Sequence, residues 1–386
     1  YWYGSVLGNA GEGGDRERLK RELDFLKKIG VNNLRVLAGA EGPDDQPSRV
    51  SPGVQKSPGI YDEKLLEGLD YLLVEMSKRN LRAILFLGNS WEWSGGYAQY
   101  LNWNGYGEIP YPNLPQYTWP DFMKYVNEFH KSCEGCKVQY NEFVRHMVSR
   151  KNTITGIDYR DDPTIMTWEI ANEPRAFSKE NFASFEKWIK DASELIKSID
   201  PNHLVTTGTE GQWGCENSME VFERIHSFNS IDYLTMHIWP KNWSWLDVKD
   251  ITGSVDSSIK KTNEYMEAHI TIATRLRKPI VLEEFGLPRD HHLYSLSDPT
   301  SARDKYYENA FEAVAQHAQS KGTLAGCNFW AFSGTARPIP DQPFWKKGDP
   351  FMGDPPQEEQ GLNSVFDTDS TIKLIQKYTR RLSKTR

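Results

Sequence analysis

Two glutamates in this chain stand at points where apolar segments stop. One apolar run ends at Asn172 and Glu173, and another ends at Glu283 and Glu284. A carboxyl group on a rigid strand end, partly shielded from water, can hold a proton and release it on demand. Glycoside hydrolysis uses two facing carboxyl groups. One protonates the leaving oxygen, and the other, which is ionised, attacks the anomeric carbon. A separation of about 5 Å would indicate retention through a covalent intermediate.

Two neighbouring glutamates compete for these roles. Because side chains alternate along a strand, Glu169 should share a face with Glu173. By the same rule, Glu283 should lie on the opposite face from Glu284. Any single strand-end glutamate could equally cap a helix or pair with an arginine. The position nearest the strand end favours Glu173 and Glu284 as the reacting pair.

The elements that would position this pair alternate between short apolar runs and longer segments of helical spacing, which indicates parallel βαβ units. Eight such units in 386 residues predict an α/β fold, a (β/α)8 TIM barrel that forms a single domain over 1–386. The carboxyl ends of barrel strands share one face, so Glu173 and Glu284 would confront each other there. We expect the first strand to be truncated at the N-terminus. The predicted strands are Trp2–Gly4, Asn33–Leu37, Arg82–Leu87, Ile165–Ile170, Leu204–Thr207, Tyr233–His237, Ile280–Glu284 and Gly326–Trp330, and the predicted helices are Asp15–Ile29, Glu63–Arg79, Gln139–Ser149, Asn181–Ile199, Ser257–Leu276, Ser301–Gln319 and Thr371–Leu382.

Two connections between these elements are unusually long, Gly88–Trp119 and Ala331–Asp369. Both follow a predicted strand, so a barrel would place them as long βα loops at the active face. Both carry large aromatic side chains, which need packing partners or a ligand, so neither is typical of a flexible linker.

The amino-acid composition argues against some classes of binding partner. The chain has 46 Lys and Arg against 53 Asp and Glu, a net charge of −7 without long blocks of either sign, which argues against a nucleic-acid or anionic-membrane surface. No apolar stretch is long enough for a membrane span. The 13 Trp, 18 Tyr and 17 Phe include many in polar, loop-like contexts, where they could be platforms for a flat ligand.

Metal and cofactor chemistry has little support in the sequence. No His-Glu-x-x-His motif is present, the glycines of 4–14 lack a following phosphate-binding Lys, and no Gly-x-Ser-x-Gly elbow appears. Cys133 and Cys136 have redox or metal-ligand spacing but lack a second pair, so we interpret them as structural or incidental. We therefore expect neither a metal nor a cofactor.

A family resemblance now adds to these arguments. The strings Trp168–Arg175 and Leu282–Gly286 resemble catalytic strands four and seven of glycoside hydrolase family 5, most closely of its β-mannanases. The resemblance spans nearly the whole chain. It extends to four further segments, Asn89–Trp103, Thr155–Pro163, Met236–Trp239 and Gly353–Gly361.

The resemblance implies Glu173 as acid/base and Glu284 as nucleophile of a retaining endo-β-1,4-mannanase. For this role Glu173 needs a raised pKa in the free protein. Asn172 would bind the sugar 2-hydroxyl, and Arg35 would keep the nucleophile ionised, since a neighbouring guanidinium lowers a carboxyl pKa.

Further substrate-binding residues follow from the same resemblance. His237 would lie near the reacting sugar, and Arg175 would reach toward the leaving group. Trp330 would form the floor of the cleavage subsite, and we expect a strained peptide bond between Trp330 and Ala331. Trp239 stands where the family often has a Tyr, so the nucleophile needs its hydrogen bond from another donor. Trp91, Trp103, Trp213 and Trp243 are additional platform candidates.

The expected substrate is β-mannan or its oligosaccharides, as mannan, glucomannan or galactomannan. The alternatives left open are a cellulase-like β-1,4-glucanase and an exo-acting mannobiohydrolase on the same barrel; a non-catalytic carbohydrate-binding barrel is disfavoured by the intact glutamate pair. Because a polysaccharide does not easily enter a cell, we expect a secreted, periplasmic or cell-surface protein, with no signal segment in this numbering. We expect a monomer.

Overall fold

Seven parallel strands and the helices between them form the body of the protein. The computed structural model describes residues 1–46 and 48–384. The parallel strands lie in two sheets, one ordered β1-β4-β5-β6 and the other β7-β8-β9. The eleven strands are β1 Asn33–Leu37, β2 Gln55–Ser57, β3 Ile60–Tyr61, β4 Arg82–Phe86, β5 Ile165–Glu169, β6 Leu204–Thr206, β7 Leu234–Ile238, β8 Ile280–Phe285, β9 Leu324–Cys327, β10 Phe332–Gly334 and β11 Val365–Phe366.

Hydrogen bonds outside the regular strands join the two sheets. Between β6 and β7, the backbone N–H of Asp232 donates to the carbonyl of Val205 at 2.8 Å. Between β9 and β1, the side chain of Asn328 donates to that of Asn33 at 2.7 Å. A cavity of about 820 Å³ opens beside this second seam. The strands therefore follow one another around a closed circuit.

The helices alternate with the barrel strands, and all seven predicted helices are found, five of them to within one residue at both ends. Predicted Gln139–Ser149 and Ser257–Leu276 both begin earlier than expected, at Glu134 and Ile251. The α-helices are α1 Gly4–Gly8, α2 Arg16–Lys28, α3 Glu63–Lys78, α4 Gly96–Trp103, α5 Trp119–Val126, α6 Glu128–Lys131, α7 Glu134–Val148, α8 Phe182–Ile199, α9 Met219–Ser227, α10 Ile251–Leu276, α11 Ser301–Ser320 and α12 Thr371–Leu382, and the 3-10 turns are Glu92–Ser94, Tyr159–Asp161, Lys179–Asn181 and Trp213–Cys215.

The predicted first strand, Trp2–Gly4, is wrong. Only the carbonyl of Trp2 behaves like a strand residue, accepting from the N–H of Leu37 at 3.1 Å, and the chain then turns into helix α1. That helix packs so closely on α3 that a Cβ on Gly8 would lie 2.1 Å from the carbonyl oxygen of Gly68. This segment is a short apolar run without a helical repeat, so its sequence does not predict the contact between Gly8 and Gly68.

The predicted last strand, Gly326–Trp330, is also displaced. Strand β9 runs from Leu324 to Cys327, and Trp330 lies after its carboxyl end, with its N–H donating to the carbonyl of Phe285 at 2.9 Å. The other six predicted strands coincide with observed ones to within a residue at each end. Trp330 is thereby carried to the face where the strands of the barrel end.

The carboxyl-end loops are ordered by buried polar contacts. The connection 88–118 contains helix α4, whose entry is set by Glu41: its carboxylate accepts from the N–H of Gly96 at 2.9 Å. In the connection 331–369, Asp354 accepts from the N–H groups of Gly361 and Asn363 at 2.9 and 2.8 Å. Both long loops are therefore folded surfaces rather than linkers.

Candidate active site

The segment that follows strand β5 carries Glu173 in an uncommon backbone conformation. Its φ is +51°, the left-handed region, although the residue is not glycine and precedes Pro174. Hydrogen bonds from neighbouring strand ends hold it: the N–H of Glu173 donates to Gly208 at 3.0 Å, and that of Asn172 donates to Gly88 at 2.8 Å. Such a conformation costs on the order of 1 kcal/mol and is found where a side chain must be aimed.

Arg35, on strand β1, links two carboxylates and an amide by hydrogen bonds in the barrel interior. Its guanidinium donates two hydrogen bonds to Glu169, at 2.8 and 2.5 Å, and one to Glu284. The same group donates to the side-chain oxygen of Asn172 at 2.9 Å, while the amide nitrogen of Asn172 donates to Asn89 at 3.1 Å. Glu169 is thus a partner of Arg35, and the predicted position of Arg35 beside Glu284 is the one that the structure has.

The prediction that Glu283 lies on the opposite face from Glu284 is wrong. Strand β7 pairs Met236 with Leu282 but His237 with Glu284, so Glu283 is an extra residue on strand β8. This bulge breaks the alternation of side chains. Glu283 and Glu284 consequently both approach Arg35, at 3.8 Å for Glu283.

His237 lies between the carboxylates and is fully buried. Its Nδ1 is 2.8 Å from Glu173 and 3.4 Å from Glu284, and its Nε2 is 3.5 Å from Glu283. Burial by itself lowers the pKa of His237, but the charge of Glu284 and the hydrogen bond to Glu173 outweigh it and raise that pKa to about 10. The surrounding carboxylates thus favour the protonated imidazole.

Proton affinities in the cluster differ from the sequence prediction. Burial raises the pKa of Glu173, but the hydrogen bonds that it accepts from His237 and Trp91 lower that pKa by more. The pKa of Glu173 is therefore lowered, not raised as the sequence predicted. Burial raises the pKa of Glu284 against the opposing charges of His237 and Arg35. In the free protein, the proton nearest to Glu173 is therefore held by His237 across a 2.8 Å hydrogen bond.

The enclosed cluster holds more acids than cations. Four buried carboxyl groups surround two cations, and burial raises the pKa of Glu169 to about 8. One donor atom each of Glu173, His237 and Glu284 lies within 4.8 Å of the other two, a carboxyl spacing typical of retaining glycosidases. The carboxyl groups are Glu169, Glu173, Glu283 and Glu284, and the cations are Arg35 and His237.

Trp239 supplies the hydrogen bond that a tyrosine would otherwise give to Glu284. Its indole Nε1–H donates to the carboxylate of Glu284 at 3.2 Å. The ring has room only because residue 286 is glycine: a Cβ there would lie 2.8 Å from the Trp239 ring. The departure from the family pattern thus keeps the donor while changing the side chain.

One wall of the cleft is formed by Trp91 and Arg175. The indole N–H of Trp91 donates to the carboxylate of Glu173, and the guanidinium of Arg175 lies 5.3 Å from the ring centre of Trp91. Glu210, which sequence reasoning missed, pairs with Arg175 and is buried; its own pKa is raised to about 7 by burial. Its place just after strand β6 was the available signal. Trp119, about half exposed, packs edge-on against Trp91.

The remaining predicted aromatic residues divide between the cleft and the packing. Trp330 lies with its ring 5.9 Å from the guanidinium of Arg35, and its peptide bond to Ala331 is cis. Trp213 and Trp243 are half-buried neighbours, with ring centres 5.3 Å apart. Trp103 packs edge-on against Tyr100, and Tyr100 packs against Tyr140 of α7. Trp103 thus has an aromatic packing partner, and its role as a sugar platform stays a prediction.

The two cysteines of uncertain role form a disulfide bond. Cys133 and Cys136 are joined across the start of helix α7, and both are buried. The sulfur of Cys133 also accepts from the N–H of Cys136 at 3.1 Å. The interpretation as structural residues agrees with this position.

Comparison with known proteins places this geometry in a family. A family model described as "GH family 5 beta-mannosidase-like" matches residues 1–386. A putative mannan endo-1,4-β-mannosidase 9 from rice is 30% identical over 344 residues, covering 86% of this chain and 75% of that protein. Mannan endo-1,4-β-mannosidase 2 from Arabidopsis thaliana is 29% identical over 350 residues, covering 86% and 73%.

Solved structures confirm the predicted (β/α)8 fold. A glycoside hydrolase family 5 mannosidase from Rhizomucor miehei has a TM-score of 0.91 and 36% identity, covering all of this chain and 92% of that one; it has also been solved in complex with mannosyl-fructose. An endo-β-1,4-mannanase from Thermotoga petrophila, with a TM-score of 0.69 and 23% identity, shares the fold.

Proposed function

Since this chain belongs to the β-mannosidase-like members of glycoside hydrolase family 5, we propose that it is a retaining hydrolase of β-1,4-mannosidic bonds in mannan, glucomannan or galactomannan. The observation that carries the proposal is the pairing of Glu173 and Glu284 at the strand ends, with one oxygen of each within 4.8 Å of the other. Both are buried, and each is in contact with His237.

In the first step, Glu284 attacks the anomeric carbon and the bond to the leaving oxygen breaks. Glu173 donates its proton to that oxygen, so the leaving sugar departs as an alcohol and a covalent glycosyl-enzyme remains. Arg35 and Trp239 hold Glu284 for the attack, since both donate hydrogen bonds to its carboxylate. The proton that Glu173 donates reaches it from His237 through their direct hydrogen bond, so Glu173 is left ionised after the transfer.

In the second step, water replaces the leaving sugar. The oxygen of this water attacks the anomeric carbon, and the ester bond to Glu284 breaks. Glu173, now ionised, takes a proton from the water during the attack. Two inversions give net retention. While Glu284 is esterified its negative charge is gone, which lowers the pKa of Glu173 and suits it to act as a base.

The residues around the pair supply recognition of the sugar. Asn172 is proposed to bind the 2-hydroxyl of the mannosyl unit, with its amide fixed by Arg35 and Asn89. Trp330 forms the floor beneath that sugar, because the CH face of a pyranose packs on an indole ring. On the leaving-group side, Trp91 and Arg175 line the wall nearest Glu173, and Trp213 and Trp243 extend it.

Cleavage within the polymer is the form of the reaction that we propose, because the plant relatives are named as endo-acting enzymes. Exo-cleavage is a second candidate. It is favoured by the family description and by the 36% identical Rhizomucor miehei protein, both of which are termed mannosidase. A secreted or cell-surface location fits a polymeric substrate and the disulfide of Cys133 and Cys136. No helix among the described residues has the length and apolarity to cross a membrane.

Release of reducing ends from mannan, cellulose and lichenan is the test of this function. We expect activity on mannan and at least about tenfold less on the two glucans, because an axial 2-hydroxyl distinguishes the substrates and a hydrogen bond built for it discriminates strongly. Equal or greater activity on cellulose would make the protein a glucanase. Product size over time separates the two modes: internal cleavage yields a ladder of oligosaccharides, and exo-cleavage yields one small product from the start.

Replacing Trp239 tests the hydrogen bond that its indole gives to Glu284. We expect Trp239→Phe to lower kcat/KM on mannan about tenfold or more, since a hydrogen bond to a charged group contributes about 1.5–3 kcal/mol. The acidic limb of the pH profile should move to higher pH, because an ionised carboxylate without its donor binds a proton more readily. Trp239→Tyr, which keeps a donor, should recover part of both losses; equal behaviour of the two variants would assign the effect to packing.

A further inference from the structure

Glu283 is a buried acid without a conventional partner. Its side chain is fully buried, and neither carboxyl oxygen accepts a hydrogen bond from a residue that the structure describes. The cations nearest to it are His237, with Nε2 at 3.5 Å, and Arg35, with Nε at 3.8 Å. Desolvating a carboxylate without hydrogen bonds destabilises a fold by several kcal/mol. A bulge in strand β8 nevertheless turns this side chain inward, into contact with the imidazole.

The bulge gives His237 one carboxylate on each ring nitrogen. Its Nδ1 lies 2.8 Å from Glu173, and its Nε2 faces Glu283. An imidazole with a carboxylate on each side is stabilised as the doubly protonated cation, because both negative charges attract it.

We propose that Glu283 is a positioning residue that keeps His237 in its doubly protonated form and, through it, sets the upper pH limit at which Glu173 can act as the acid. The inference rests on the proposed function, since it names what regulates the proton of the same site. Glu283 touches neither the sugar nor the leaving oxygen. Its effect is exerted through the ring of His237.

The proton balance of the reaction explains why a negative charge at Glu283 would affect catalysis. Glu173 and His237 share one proton along their hydrogen bond, and the first step consumes it when Glu173 protonates the leaving oxygen. In the second step water returns one proton to Glu173. A negative charge on the far side of the ring increases the affinity of the pair for that shared proton. Glu173 and His237 therefore keep their shared proton to a higher pH than they would with an uncharged residue at 283.

Other charged groups face this pair and remain unchanged when Glu283 is replaced. On the inner side, Glu169 is held by Arg35, and the phenol of Tyr233 is close enough for its pKa to be raised by burial and by Glu283. Toward the cleft, burial raises the pKa of Glu358 to about 8. The groups that complete this background are Glu284 on strand β8, Arg35 on strand β1, and the pair Glu210 and Arg175 on the loops.

Glu283→Gln isolates the charge while preserving the shape of the side chain. We expect the alkaline limb of the kcat/KM profile on mannan to move to lower pH by about one unit or more, because removal of a nearby negative charge lowers the pKa of the Glu173 and His237 pair. We expect little change in the thermal unfolding midpoint, because the attraction of this carboxylate to His237 and Arg35 is offset by the cost of its desolvation. A residue with a merely structural role would show the reverse pattern.

Glu92→Gln is the matched control. Glu92 is equally buried, and neither of its carboxyl oxygens has a hydrogen-bond partner. Burial raises its pKa to about 7, but it makes no contact with His237 or Glu173 within the described part of the chain. Its replacement should leave the alkaline limb in place.

An unshifted alkaline limb in Glu283→Gln, or an equal shift in Glu92→Gln, overturns the proposal. A second measurement decides the matter even where the variant does not fold: nitrogen-15 NMR of the His237 ring in the unaltered protein. A doubly protonated ring at pH 7 supports the proposal, and a neutral ring at that pH overturns it. Neither reading depends on turnover of mannan, whereas failure of the proposed function would appear as an inactive unaltered enzyme.

Discussion

Glu284→Ala should lower the turnover of mannan by roughly 10⁵-fold, the scale on which a covalent nucleophile is lost in other enzymes. The variant keeps Arg35, Trp239 and His237, all of which contact Glu284 in the native protein, so binding of the sugar should fall far less than kcat. Steady-state kinetics on mannan and an activated aryl β-mannoside would measure both quantities. No covalent intermediate can form without the carboxylate.

Added azide gives Glu284→Ala a sharper readout. The space left by the carboxylate admits a small anion on the face from which Glu284 attacks, and azide there displaces the leaving group once. We expect partial recovery of cleavage with an α-mannosyl azide as product, because one displacement inverts the configuration. A β-configured azide, or activity close to that of the unaltered protein, would contradict the assignment of Glu284.

Glu173→Ala should lower kcat on mannan by about 10²–10⁴-fold, the usual contribution of a positioned acid and base. The loss should be much smaller in the first step for an aryl mannoside with a good leaving group, because such an oxygen departs without protonation. The glycosyl-enzyme should then accumulate, since no base activates water. A burst of released phenol followed by slow turnover is the expected kinetic signature.

Azide distinguishes Glu173→Ala from the nucleophile variant by stereochemistry. Here azide attacks the covalent intermediate on Glu284, and a second displacement restores the original configuration. The product should be a β-mannosyl azide. A variant with full activity on mannan, or one that forms the α-azide, would remove Glu173 from the role of acid and base. Glu92→Gln serves again as a buried-carboxyl control, with the turnover of the unaltered protein expected.

Much of the architecture could be predicted because it depends on local patterns. The apolar run before Asn172 has a strand's length and stops at polar residues, and strand β5 is found where that pattern predicts it. The position of Arg35 beside Glu284 was implied by the family resemblance, and the two side chains are hydrogen-bonded in the structure. The strand itself needs only the period of the sequence.

The features that could not be predicted arise from long-range contacts. The strict period of two assigned Glu283 to the wrong face, since a bulge depends on pairing with a strand some forty residues away and leaves no mark in the local sequence. The pKa of Glu173 moves opposite to the expectation because His237 and Trp91 arrive from other strands to donate to it. Trp239 reaches Glu284 because Gly286 leaves room for its ring, a fit that spacing alone does not show.

The central claim is that a covalent mannosyl-enzyme forms on Glu284. A 2-deoxy-2-fluoro-mannosyl fluoride should form this intermediate quickly and release it slowly, because fluorine at position 2 destabilises both transition states while fluoride departs readily. Intact mass should rise by one 2-fluoro-mannosyl unit, and peptide mapping should place it on Glu284. A protein that cleaves mannan yet carries the label on Glu173, Glu283 or any other residue would contradict the account.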